Sequence, residues 1–495
     1  MLPVRVAPSI WTVPRSRGWN DVSQPVNSSG SPFATTPAAP PAGSGRAGRA
    51  ALTTACAGLL VGLDTGLIAE ALGFIGRDFH ASARMQEWIV SVLMLGALLG
   101  SLGAGVFSRR FGRRMALGTA TLLIAVGALL CATAPVIGQI LVGRFLIGGA
   151  IGICTFTAPL YISELTTGRM RGTMVTTFSM LQSAGILLGY LAGGIFSGGG
   201  HWRLMVGLPL VPAAILFAGC AFLPSSPSWL AARGRFEEAR VVLRNLRGDA
   251  AAADRELAHI RTELDTDRGV GGFALLRARG YFRRSVALGV GLQVMQQLTG
   301  INVVMYYAPK ILEGAHFGTS AAAWATVLVG AVNALVGVAA IFMVSRWGRR
   351  PLLMTSCVIM ALALGAAAAI EGLHLEGMGA TLSLMASLLV FVAGFGMGAG
   401  PLVWTLCSEI QPIEGRDFGV GCSTLANWGM DWAVSNTFLS IVAAVGAGWT
   451  FAGFSVLNVV FVLFTLLLVP ETRDVPLDEI EAHLESGRPL RQIGR

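Results

Sequence analysis

Charge is what this sequence has least of. Only 13% of its 495 residues are charged and 54% are hydrophobic, whereas a soluble domain carries about 25% charged residues. That scarcity excludes an ordinary water-soluble protein. Signatures of chemistry are scarce too. The six histidines (His80, His201, His259, His316, His374, His483) are scattered, and no metal-binding helix motif, nucleophile elbow or phosphate loop is present. No enzyme, cofactor or metal site is therefore expected. The seven cysteines are odd in number, mostly lie in apolar runs and show no metal-ligand spacing, so they read as small core residues. Residues 1–48 lack the basic start and apolar core of a secretory signal and are rich in Pro, Ser, Gly and Ala. They read as a disordered cytoplasmic tail.

Long apolar runs are what the chain has instead. Twelve, of about 20 residues or more, fall near 51–74, 86–108, 114–135, 137–160, 173–198, 203–223, 284–312, 322–344, 351–371, 381–407, 418–444 and 449–469. At 1.5 Å per residue, each spans a hydrocarbon core of about 30 Å. The net charge of +9 does not point to nucleic acid, because arginines gather in alternate loops: Arg109, Arg110, Arg113 and Arg114; Arg169 and Arg171; the 224–283 segment; Arg346, Arg349 and Arg350; Arg416; and the tail after Arg473. That asymmetry places both termini and the central loop in the cytoplasm.

Three landmarks recur at an offset of about 240 residues. RRFGRRMAL (109–117) matches SRWGRRPLL (345–353), PLYISELTTGRMRG (159–172) matches PLVWTLCSEIQPIEGRDFG (401–419), and LPSSPSW (223–229) matches VPETRDV (469–475). The fold class expected is all-α membrane protein, two pseudo-symmetric six-helix bundles. The domains are a tail (1–48), an N-terminal bundle (49–223), a linker with short amphipathic helices (224–283), a C-terminal bundle (284–469) and a cytoplasmic tail (470–495). The second landmark places a glutamate seven residues before an arginine in each half, Glu164/Arg171 and Glu409/Arg416. With Arg113, Arg349 and Glu471 these suggest ion pairs that hold the cytoplasmic side shut; simple anchoring at anionic headgroups is the alternative.

One span is unusually polar. LQVMQQLTGINVVMYYAPKI holds Gln296, Gln297, Asn302, Tyr306 and Tyr307 around Gly300. An unpaired amide in hydrocarbon costs roughly a few kcal/mol, so such residues face protein or a watery hollow. Amides and phenols both donate and accept, which suits a neutral, polyhydroxylated ligand.

Residues from about 51 onward resemble the sugar porter family of the major facilitator superfamily, particularly its bacterial galactose–proton and arabinose–proton symporters. The motifs are GLLVGLD (58–64), TAPLYISE (157–164), QVMQQLTGINVVMYYAPKI (293–311), GPLVWTLCSEIQP (400–412), GRDFG (415–419) and VPETRDVPLDEIEAHL (469–484). The resemblance implies sugar-binding positions at Gln296, Gln297, Asn302, Tyr306, Asn333, Gly400, Trp404, Asn427 and Trp428, with tryptophan plates for the sugar's C–H face. It also implies proton coupling through Asp64 paired with Arg144; a permanent structural bridge is the alternative.

The sequence departs from the family pattern in places. The span-5 glutamine falls on Ser179, with Gln182 one turn later as its substitute; Val61 replaces an aromatic; both F/W-G-R-R loops lack an aspartate, having Arg109 and Ser345 near its place; and Ser225 and Ser228 replace a charged pair. Glu70 and Asp431 are extra acids, able to bind an amino group, modify coupling or face water at the periplasmic mouth. The function expected is proton-coupled symport of a monosaccharide by a monomer in a bacterial inner membrane, with sugar, proton and bilayer as partners and no nucleic acid. A uniporter is the first alternative. A transporter-like sensor, a membrane enzyme and a drug exporter are remoter ones.

Overall fold

The computed structural model describes residues 44–266, 272–314, 318–375, 377–412, 414–473, and then 475, 477–486, 488, 491 and 493. The first half comprises α1 (Ser44–Asp78), α2 (Ala83–Phe111), α3 (Arg113–Ala132), α4 (Ile137–Leu165), α5 (Gly168–Ser197), α6 (Trp202–Gly207) and α7 (Leu210–Cys220). Four linker helices follow: α8 (Pro227–Ala232), α9 (Phe236–Arg247), α10 (Ala250–Thr266) and α11 (Gly272–Ala278). The second half holds α12 (Gly280–Leu298), α13 (Ile301–Gly314), α14 (Thr319–Trp347), α15 (Arg349–Gly372) and α16 (Met378–Gly394). It continues through a π-helical turn (Phe395–Ala399) into α17 (Gly400–Glu409), α18 (Arg416–Ser435), α19 (Phe438–Val445) and α20 (Ala447–Leu468), with α21 (Leu477–Glu485) after it.

Among the described residues, ten helical stretches are long and apolar enough by length and hydropathy alone to cross a membrane. The other two expected spans are each divided between two helices, α12–α13 and α18–α19. Gly300, at φ +87°, makes the first break; that left-handed conformation suits a residue without a Cβ. The expected tail lies outside the described residues up to 43, but residues 44–48 begin α1 instead. The reason is burial: Ala47 and Ala50 pack into the same core as Leu223 and Leu246.

Each half has its own apolar core, and each core takes in residues of the other half. Tyr306, Tyr307, Phe438 and Leu439 join the first; Ala69 and Tyr190 join the second. Within the first half, α1 lies along α5 and α2 along α4. A Cβ at Gly62 would sit 1.8 Å from the Gln182 carbonyl oxygen, so glycine is what lets α1 and α5 approach so closely. The amphipathic helix α9 buries Ala239, Leu243 and Leu246. Its Arg247 binds Glu256 at 2.7 Å and donates to the Leu165 carbonyl at 2.8 Å, fastening the linker to the end of α4. This end is the linker face; the opposite end is the far face.

Candidate functional site

Two polar clusters meet between the halves. In the first half, Arg144 on α4 grips Asp64 on α1 through Nη1, at 2.8 and 2.7 Å to the two carboxylate oxygens. Its Nε donates to the Ile89 carbonyl at 3.1 Å, while Nη2 is buried without a protein partner. Arg144 is 2% and Asp64 6% exposed. Two charges withdrawn from water this far hold each other; removing either would strand its partner.

In the second half the groups are neutral. Asn427 on α18 donates to Gln293 at 2.7 Å and Gln296 at 3.1 Å. Gln296 in turn donates to the carbonyls of Ala399 and Gly400, at 2.8 and 3.2 Å, where the π-helical turn leaves carbonyls for a side chain to satisfy. Asn302 donates to Gln297 at 2.8 Å across the Gly300 break. The amides thus satisfy one another, yet the Nε2 of Gln293 and the Nε1 of Trp428 remain buried donors without partners. Tyr306 joins the clusters: it lies beside Thr65, Asp64 and Arg144 of one half and Asp431 of the other.

At the far face the halves are fastened together. Glu87 on α2, fully buried, accepts from the Ser440 backbone N–H at 2.6 Å and from its hydroxyl at 2.8 Å, capping α19 from across the seam. Ser91 donates to Asn436 at 3.0 Å, Arg84 to the Asn436 carbonyl at 2.5 Å, and Lys310 to Gln86 at 2.7 Å. Tyr190 donates to the Met305 carbonyl at 2.5 Å. The linker face holds matched ion pairs, each inside one half. Arg113 binds Glu164 at 3.0 Å and Arg349 binds Glu409 at 3.2 Å.

The profile of the family described as "Sugar (and other) transporter" matches residues 50–484. The chain belongs to that sugar transporter family. The galactose-proton symporter of Escherichia coli (strain K12) is 45% identical over 441 residues, covering 89% of this chain and 95% of that one. The arabinose-proton symporter of the same strain is 41% identical over 454 residues, covering 90% and 94%. A solved structure of the xylose transporter XylE from E. coli, in an inward open conformation, matches with TM-score 0.75 and 26% identity, covering 87% of this chain and 98% of that one. As a sugar transporter with the major facilitator fold, the protein is not an enzyme.

Not every expected site residue of this transporter joins the clusters. Gln296, Gln297, Asn302, Tyr306, Gly400 and Asn427 come together, with Trp428 half-buried against the first half's core. Gln182 and Asn333 are half-buried on α5 and α14, which pack on each other across the halves. Trp404 is 43% exposed, on the face of α17 turned away from its packed residues. The repeated glutamates take their partners from the G-R-R turns. Glu164 binds Arg113, which starts the preceding helix α3, and Glu409 binds Arg349, which starts α15. Arg171 is exposed, and Arg416 donates to the Gln411 carbonyl at 3.3 Å. Glu471 is a helix cap, accepting from the backbone N–H groups of Arg349 and Arg350 at 3.0 Å each. Glu70 does not face water: it is 4% exposed and accepts from Thr326 of the other half. Sequence reasoning passed over Gln293, although it shares a helical face with Gln296 and Gln297. It passed over Glu87 as well, for which no local signal exists.

Proposed function

We propose that this protein is a proton-coupled symporter of a monosaccharide, hexose or pentose, working by alternating access in the bacterial inner membrane as a monomer. The linker face is the cytoplasmic side, as the arginine distribution argues, so both termini are cytoplasmic. The far face is periplasmic, and the fastened far end then corresponds to a state closed to the outside. The two bundles, with the boundaries 49–223 and 284–469, rock about the site between them.

The observation that carries this reading is the buried Asp64–Arg144 pair set against Tyr306 of the opposite half. Protonation of Asp64 from the periplasm removes the charge that holds Arg144. The freed guanidinium, with an Nη2 already lacking a partner, seeks new acceptors, and sugar hydroxyls or the Tyr306 oxygen supply them. Sugar entering the amide cluster replaces the Asn427–Gln293, Asn427–Gln296 and Asn302–Gln297 side-chain bonds with hydroxyl contacts, so binding exchanges hydrogen bonds rather than creating unmatched ones. Gln182, Asn333 and Trp404, half-buried or exposed on the walls, complete the enclosure as the halves close. The ion pairs Arg113–Glu164 and Arg349–Glu409 stiffen each bundle's cytoplasmic end, so the halves move as units. The resemblance of this chain to galactose-proton and arabinose-proton symporters supports the substrate class.

The experiment is uptake of a panel of labelled monosaccharides by proteoliposomes holding the purified protein, with and without an inward proton gradient. Symport requires accumulation that depends on the gradient and collapses with a protonophore. Uptake that equilibrates without accumulating, gradient or not, would identify a uniporter instead.

A further inference from the structure

Asp431 is the one member of the amide cluster that the neutral-sugar reading leaves unused. It is 2% exposed on α18, one turn beyond Asn427 and next to Trp432. Ser435 donates to it at 3.1 Å, Asn302 lies beside it, and the hydroxyls of Tyr306 and Tyr307 are near. All are neutral. Helix α12, packed against α18, brings Gln293 and Gln296 to Asn427, one turn from Asp431. Helix α2, packed on it from the other half, presents Glu87, whose own cation is Arg84. The nearby buried cation, Arg144, is committed to both oxygens of Asp64. Among the described residues, then, no cation pairs with Asp431.

We infer that the substrate of this transporter is an amino-deoxy sugar, and that Asp431 is the residue that binds its ammonium group. The inference rests on the proposed sugar site. A sugar hydroxyl would hydrogen-bond the group without compensating its charge, so with a neutral sugar the carboxyl must take up a proton to stay in a dry site. A protonated amine supplies both the donors and the charge. Its three hydrogens match the Asp431 oxygens and the neighbouring phenol and amide oxygens. The Gln293 Nε2 and Trp428 Nε1, on the same two helices, are buried donors without protein partners and remain free to donate to ring hydroxyls of the same molecule.

The test uses the full chain in proteoliposomes under an inward proton gradient. Uptake of labelled galactose is competed with galactosamine, glucosamine and their neutral N-acetyl forms. The amino sugars are expected to compete at least 10-fold more strongly than the N-acetyl forms and to be accumulated themselves. Asp431→Asn is expected to erase that preference, bringing the ratio of competition by the amino and N-acetyl forms to about 1 whatever its effect on the galactose rate itself. Equal competition by both forms, or an unchanged preference in Asp431→Asn, overturns the inference while leaving sugar transport standing. If Asp431→Asn fails to fold, the comparison in the unaltered protein decides alone. Transport of neither class of sugar would overturn the proposed function as well.

Discussion

The two halves share their joints and differ in their centres. Arg113–Glu164 and Arg349–Glu409 occupy equivalent places in the repeat, joining the start of α3 or α15 to the end of α4 or α17. At mid-depth the halves part company. The first half carries a buried ion pair, Asp64–Arg144; the second carries the amides Gln293, Gln296, Gln297 and Asn427. An offset of about 240 residues sets Asp64 near the Gly300 break, so one repeated position holds charge in one half and neutral hydrogen-bonding groups in the other. A duplicated bundle thus keeps its mechanics and divides its chemistry: charge that can titrate on one side, groups that read hydroxyls on the other.

The largest effect should come from breaking the charged side. Arg144→Met leaves Asp64 buried without its cation, at a cost of about 3–5 kcal/mol if it stays ionised. Thermal stability in detergent is expected to fall markedly and uptake to vanish; an unaltered melting temperature would show the pair to be dispensable. Next comes the neutral side. Gln296→Ala strands the Ala399 and Gly400 carbonyls and an Asn427 N–H, at roughly 1–3 kcal/mol. KM for sugar is expected to rise by about 10-fold or more with proton dependence intact, read from uptake kinetics at several pH values.

The joints offer a finer comparison. Glu164 has Arg113 as its side-chain partner, whereas Glu409 is also held by Thr472 at 2.5 Å, and the neighbouring Glu471 caps α15. The N-terminal counterpart of Glu471 is Ser225, and among the described residues no side chain caps α3 as Glu471 caps α15. Glu164→Gln is therefore expected to loosen its half more than Glu409→Gln, by about 1 kcal/mol, in protease susceptibility of the linker face. The smallest effect is at the far face. Glu87→Gln keeps an acceptor for Ser440 but weakens the cap by about 0.5–1 kcal/mol, which should raise the labelling rate of a cysteine placed at Ser91 from outside.

Much of this plan was legible in the chain itself. Apolar length marked the spans, and the recurring G-R-R turns marked the halves, because both are local properties. The polar run around Gly300 announced the amide cluster for the same reason. Partners across space were not legible. Spacing marked Glu164 as repeated without naming its partner; Arg113 lies 51 residues away and is brought in by the way α3 and α4 pack. For Glu70 an amino-group site, a part in coupling and a watery mouth all stood open in the sequence; only the close approach of α14 gives it Thr326 and buries it. Glu87 resembles any surface acid near a helix start until α19 arrives from the other half.

The most direct measurement is a pair of assays on Asp64→Asn in proteoliposomes: accumulation of labelled sugar driven by a proton gradient, and exchange of labelled for unlabelled sugar with no gradient. Coupling through Asp64 predicts that accumulation disappears while exchange persists. Gradient-driven accumulation equal to that of the unaltered protein would contradict it.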